Sequence, residues 1–254
     1  MTRTLKWLAA LCSLLIVMAA LPAAAQSQEP AKEGQHSGPL PFLQSFRLGL
    51  EFHPIAYVLD SGKLSLGGVT PMHPAGIPAS DYFPYLSGGY GFGDGWEALV
   101  GLTGVERLGP DDLVLYGGLG IQKRLIKETR SLPTVSLGFY DTFGPSDHNT
   151  VNVYLVATKR ILREGQHQFF VTGGGKFENF TGNGNGSGVE PFVGGVYVFA
   201  KRLYVTAEFS PQQAWESNNQ WAIRGTLRVW RGLGVTGGIR HNGFNKTTFI
   251  GVAF

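Results

Sequence analysis

The chain has 254 residues, and its 21 Lys and Arg residues nearly balance its 18 Asp and Glu residues, for a formal net charge of +3. This balance argues against a nucleic-acid groove, which needs clustered basic residues on one surface. The 37 glycines and the 12% aromatic content instead favour a sheet-rich protein with close backbone approaches.

Residues 1–25 predict a secretion signal. Two basic residues, Arg3 and Lys6, precede an apolar stretch, and three alanines follow it. This is the layout of a cleaved signal peptide, and the apolar stretch is short for a membrane-spanning helix, which needs about 20 residues. We expect cleavage before Gln26, which removes Cys12, the one cysteine of the sequence, and so leaves no disulfide chemistry.

Residues 26–43 are polar and rich in proline and glycine, which predicts a flexible periplasmic lead-in. The rest of the chain, 44–254, divides into about twelve strand-like runs, each of roughly the 9 to 12 residues that a tilted membrane strand needs. The predicted strands start near Gln44, Pro84, Trp96, Leu113, Pro133, Thr150, His167, Glu190, Leu203, Asn219, Gly232 and Lys246.

The links between these runs alternate in length. Short turns, such as Gly93–Gly95 and Lys201–Arg202, alternate with longer links, such as 180–189 and 211–218. Outer-membrane barrels place short turns in the periplasm and longer loops outside. We therefore predict a single transmembrane, antiparallel, up-and-down β-barrel. Residues 52–83 are predicted to form a long outer loop that either folds inward as a constriction or stands outside as a contact surface. No stretch of the mature chain is apolar for long enough to cross a bilayer as a helix, so a membrane crossing would require a closed barrel.

The last residues alternate in character up to an aromatic end. Thr248, Ile250, Val252 and Phe254 share one face of a strand. The pattern resembles the carboxy-terminal assembly signal of bacterial outer-membrane β-barrel proteins. That resemblance implies an outer-membrane location, contact with outer-membrane lipid and recognition by the barrel-assembly machinery. A soluble periplasmic β-sandwich is the structural alternative, since it also has many short strands.

The final hairpins can be aligned by their faces. A three-residue turn at 230–232 and a four-residue link at 242–245 set Val235 beside Val252 on the lipid face. In the same register Arg224 lies opposite Gly238 and Arg228 opposite Gly234. Long guanidinium side chains would then extend over positions that have no side chain.

The predicted inward faces carry charges of both signs, and arginine-lined walls can select anions in a pore. Such a lumen would resemble the narrow arginine-lined channels for acidic sugars among small outer-membrane porins. The alternative is that these arginines pair with the inward glutamates and brace a closed interior. The candidate pore-lining residues are Arg47, Glu51, Lys176, Glu178, Glu208, Arg224, Arg228 and Arg240.

Catalytic and metal sites are not predicted. Residues 239–245 resemble a segment of outer-membrane lipid A deacylases, but Gly243 stands where their serine should follow His241, so the activity is not carried over. Ser187 lies in a glycine-rich loop without a local base, and the histidines show no ligand spacing. We therefore expect no cofactor and a non-enzymatic protein: a narrow channel for small polar or anionic solutes. The alternatives are a closed structural or adhesive barrel that acts through its outer loops and, third, a lipid-modifying hydrolase.

Overall fold

The computed structural model describes residues 54–72, 85–106, 113–143, 149–181, 187–211, 219–230, 233–242 and 246–253. None of them belongs to a helix long and apolar enough to cross a membrane. They form strands β1 (Leu64–Met72), β2 (Tyr85–Gly91), β3 (Trp96–Glu106), β4 (Leu113–Ile126), β5 (Thr134–Phe143), β6 (Asn149–Glu164), β7 (His167–Thr181), β8 (Ser187–Phe199), β9 (Leu203–Ser210), β10 (Gln220–Arg228), β11 (Gly234–Asn242) and β12 (Lys246–Ala253).

Each strand pairs antiparallel with the strands before and after it in the chain, and β1 also pairs with β12. In that last pairing Gly67 lies opposite Ala253 and Met72 opposite Thr248. The sheet therefore closes on itself and no edge strand is left to solvent. This confirms the predicted all-β, antiparallel, up-and-down barrel of about twelve strands.

The two faces of the wall differ in polarity. On β9, Tyr204, Thr206, Glu208 and Ser210 are buried while the residues between them are exposed, and β10 alternates in the same way. The outward positions carry large apolar side chains, among them Ile223, Leu227, Val235, Ile239, Ile250 and Val252. A soluble sandwich would bury such residues in a core, whereas a membrane barrel presents them to lipid.

Eleven of the twelve strands start within three residues of their predicted positions. The exception is the first strand, which the sequence predicts near Gln44, in a stretch that lies outside the described residues. The structure forms β1 at Leu64–Met72, inside the segment predicted as a long outer loop, so that prediction is wrong for residues 64–72. The alternation that marks a strand is interrupted at Gly67, Gly68 and Pro71, so the sequence pattern did not predict β1.

The predicted domain divisions at 1–25 and 26–43 also lie outside the described residues. The short links that the sequence predicts are present between neighbouring strands. The β2–β3 turn contains Gly93, Asp94 and Gly95, all with positive φ (53°, 35° and 75°). Glycine adopts this backbone region freely and aspartate tolerates it, which explains this composition in a tight turn.

Candidate functional site in the barrel lumen

A segment of the chain that precedes β1 lies inside the barrel. Residues 54–59 are all buried, and their backbone contacts side chains that point inward from the wall. The Ala56 N–H donates to Thr158 Oγ1 on β6 (2.8 Å). The Ser136 hydroxyl on β5 donates to the Ala56 carbonyl (2.5 Å). Both polar groups of one backbone unit are thereby satisfied by the lumen wall. We call residues 54–59 the luminal segment.

Two further strands bind the luminal segment in the same way. Gln122 on β4 donates its amide Nε2 to the Ile55 carbonyl (3.0 Å). The Leu59 N–H donates to Glu97 Oε2 on β3 (3.2 Å). Because a buried backbone outside the sheet needs other polar partners, these inward side chains account for how the segment is tolerated in the interior.

The apolar side chains of the luminal segment pack against the neighbouring part of the wall. Ile55 and Tyr57 join a buried cluster with residues of β7, β8 and β9, and the Tyr57 ring meets Phe170 edge to face at 5.9 Å. Ala56 lies in a second cluster with Tyr154 and Phe192. This side of the lumen is therefore filled by apolar contacts.

Tyr57 also connects the luminal segment to the β4–β5 turn. Its hydroxyl donates to Glu128 Oε2 (2.5 Å), while Glu128 Oε1 accepts from the Arg160 N–H (3.0 Å). The Lys159 ammonium lies 3.8 Å from Glu128 Oε1 and donates to carbonyls of residues 129–132. One carboxylate thus joins the segment, the turn and β6.

The luminal segment leaves the lumen through a turn at residues 60–63. The Gly62 N–H donates to the Gly91 carbonyl (2.8 Å), and the Lys63 N–H donates to the Asp60 carbonyl (3.0 Å). A Cβ added at Gly91 would lie 2.6 Å from the Leu59 carbonyl oxygen, so the chain crosses β2 where a side chain is missing. The turn leads directly into β1.

The predicted inward charges on β7 form an ion-pair cluster. Lys176 Nζ lies 2.7 Å from Glu178 Oε1 and 2.7 Å from Glu190 Oε2. Lys176 and Glu190 are register partners across β7 and β8. Here a lysine, and not one of the arginines named in the bracing alternative, pairs with inward glutamates.

The remaining predicted charges lie on β9, β10 and β11. Glu208 and Arg224 are only 6% and 3% exposed. Arg224 is paired with Gly238 and Arg228 with Gly234, which confirms the predicted register. The Arg240 guanidinium lies 5.7 Å from the ring centroid of Phe249, a buried residue of β12.

Three predicted site residues, Arg47, Glu51 and Phe254, lie outside the described residues. Ile250 and Val252 of the proposed assembly signal are exposed on the outer face of β12. Val252 is paired with Val235, as predicted.

The sequence did not identify the polar residues that hold the luminal segment or pair with the inward charges: Glu97, Gln122, Glu128, Ser136, Thr158 and Glu190. Glu97 and Glu190 stand near predicted strand starts, where polar residues are common. The missed signal is the continuous apolar run at 55–59. Such a run indicates a strand buried on both sides, which a lipid-facing barrel strand is not.

Ser187 and His241 do not lie on neighbouring strands. Ser187 begins β8, and His241 lies on β11, with β9 and β10 between them. The His241 ring stacks on Trp221, and its Nδ1 lies 3.1 Å from the Asn219 carbonyl oxygen. These contacts describe a residue packed at a strand end, and no catalytic role is assigned to it.

No family model matches the chain, and no curated protein sequence matches it. Among solved structures it is similar to the KdgM porin in complex with disordered oligogalacturonate, at 12% identity and a TM-score of 0.56, over 75% of this chain and 98% of that one. The NanC porin is similar at 11% identity and a TM-score of 0.50, over 76% of this chain and 99% of that one. At these identities the likeness shows a shared barrel fold.

Proposed function

We propose that this protein is a narrow outer-membrane channel for small polar or anionic solutes. The observation that carries the proposal is the register of β10 and β11, in which Arg224 and Arg228 lie opposite glycines on the inner face. Arg240 follows on the inner face of β11. A positive wall of this kind favours anions because it replaces part of the hydration that they lose on entry.

The shared fold supports this assignment. The KdgM structure is described as a complex with oligogalacturonate, a chain of acidic sugars. A barrel of the same fold with arginines on its inner face suits solutes that are negatively charged, as acidic sugars are. In the proposal the protein reaches the outer membrane through its leader, residues 1–25, and the assembly machinery reads Ile250, Val252 and Phe254.

The proposed passage runs along one side of the lumen. The described contacts of the luminal segment lie on β2 to β9, and the Lys176 ion pairs lie on β7 and β8. The three arginines lie on β10 and β11, beside the closing strands β12 and β1. Solutes would therefore pass along β10, β11 and β12.

Ion selectivity tests the proposal. Purified protein in a planar bilayer should show discrete openings, and the reversal potential in a salt gradient should indicate anion preference. Arg224→Glu should weaken that preference several-fold or reverse it, and Arg224→Gln should give an intermediate value, because the wall loses positive charge in steps. Arg163→Glu makes the same change at an exposed position near the end of β6 and should leave selectivity unchanged.

Silence of the wild-type protein at all voltages would contradict the channel. It would instead favour the second candidate, a closed structural or adhesive barrel that acts through its outer loops. The packed luminal segment and the Lys176 ion pairs support that candidate. The third alternative, a lipid-modifying hydrolase, would be supported by an altered acyl-chain pattern of lipid A or phospholipid in cells that contain the protein.

A further inference from the structure

We infer that the luminal segment, residues 54–59, is a plug that sets the conductance of this barrel; the inference rests on the channel function proposed above. Its basis is the set of contacts between the segment and the inner faces of β3 to β9.

The segment is attached by side chains of the wall. Ala56 is held by Ser136 and Thr158, Ile55 by Gln122, and Leu59 by Glu97. Strands β3 to β6 are paired with one another through their own backbones. Release of the segment would therefore break side-chain contacts without opening the barrel wall.

The segment is large relative to the lumen. Strands about 4.8 Å apart and tilted by about 40° place a twelve-strand wall about 12 Å from the barrel axis. Wall side chains reach about 5 Å inward, and a single backbone segment with its side chains takes about 10 Å, so it covers much of a lumen about 14 Å wide. Its removal should widen the conducting area by a factor of two or more.

The packing around the segment keeps that side of the lumen dry. Phe170, Val196, Val198 and Tyr204 are buried against Ile55 and Tyr57. A hydrated ion would lose water on entering this cluster, because the side chains of Phe170, Val196 and Val198 offer no polar group to replace its hydration. The segment and this cluster together close that side of the lumen to hydrated ions.

One end of the plug is held at the wall. The turn at 60–63 is bonded to Gly91 and continues into β1, which is part of the sheet. Gly62 has a φ of +76°, a backbone region in which side chains are disfavoured. The segment can therefore leave the lumen while the chain stays attached at this turn.

Single-channel conductance of two plug variants tests the inference. The first, Ser136→Ala with Thr158→Val, removes the two hydroxyls that hold Ala56. The second replaces residues 54–59 with an alternating Gly and Ser sequence, which removes the apolar packing. We expect the second variant to conduct at least twice as much as the wild type and the first to show intermediate or fluctuating conductance.

A matched control is Ser210→Ala with Thr226→Val. It removes the same two hydroxyl types from buried inward positions on β9 and β10, where Ser210 bonds Pro191 and Thr226 bonds Thr236. Its conductance should equal that of the wild type. Heat-modifiable migration on gels shows which variants have folded before any current is recorded.

The outcomes separate the inference from the channel function. Larger conductance in the plug variants than in a conducting wild type supports the plug. Current in these variants when the wild type is silent contradicts the channel function of the wild-type protein and shows that the segment closes the lumen. Equal conductance in the wild type and the folded second variant overturns the plug and leaves the channel in place. If neither conducts, the channel function fails, and the plug fails with it.

Discussion

Gly238 lies on the inner face of β11, where residues of β10 and β12 leave no space for a side chain. A Cβ at this position would lie 2.9 Å from Phe249 Cζ and 3.0 Å from the Arg224 Cα, and it would also press on the Ile223 carbonyl. Since two of these atoms belong to backbone, no rotamer change relieves the clash. Gly238→Ala should therefore lower the free energy of unfolding by about 1–3 kcal/mol, the cost typical of overpacking.

Unfolding by urea in lipid vesicles, followed by tryptophan fluorescence, measures this change. Gly225→Ala is the control, because the nearest atom to a Cβ there is the Gly237 carbonyl oxygen at 4.0 Å. Equal stability of the two variants would show that β11 is not packed as described.

At the scale of single residues, the sequence predicted the direction of a side chain better than its contact partners. Alternation and two short turns sufficed to place Arg224 opposite Gly238. The contact between Lys176 and Glu190 was missed because the link between β7 and β8, residues 182–186, separates the two residues in the sequence. A link of that length does not fix the register of the strands it joins.

At the scale of elements, the ion pairs of Lys176 connect β7 to β8. Lys176→Met would leave Glu178 and Glu190 close together in an enclosed interior without their cation. Loss of one partner from a buried ion pair costs about 3–5 kcal/mol, mainly because the remaining charge is not compensated. We expect the single variant to lose stability toward the lower end of that range, since Lys176 and Glu178 are each 13% exposed.

The matched variant changes Lys176→Met together with Glu178→Gln and Glu190→Gln. It should recover most of the lost stability, because no unpaired charge then remains inside. The same urea titration compares the two variants. A triple variant as unstable as the single one would assign the loss to packing and not to charge.

The first strand shows where strand prediction fails. Residues 44–52 alternate well, whereas β1 contains two adjacent glycines and a proline. Closure against β12 stabilises β1 in spite of its composition, through backbone pairing that the sequence pattern does not reveal. Long-range pairing therefore overrode local propensity here.

At the scale of the whole molecule, the closed barrel was predictable and its filled interior was not. Closure follows from alternation, strand length and link length, which can all be read along the chain. The position of the luminal segment depends on polar groups of four strands meeting one backbone. Those groups lie as many as 102 residues from the segment in the sequence. No local pattern contains that information.

The exterior of the barrel gives a test of the molecule as a membrane protein. Ile223 is 54% exposed on the outer face near the middle of β10. In a bilayer, arginine at such a depth costs about 2–4 kcal/mol, whereas at an exposed site in water it would cost little. Ile223→Arg should therefore lower stability in vesicles by about that amount. Leu132→Arg makes a similar change at a 47% exposed position in the β4–β5 turn and should be nearly neutral. If both variants unfold at the wild-type urea concentration, the outer face of β10 is not in contact with acyl chains.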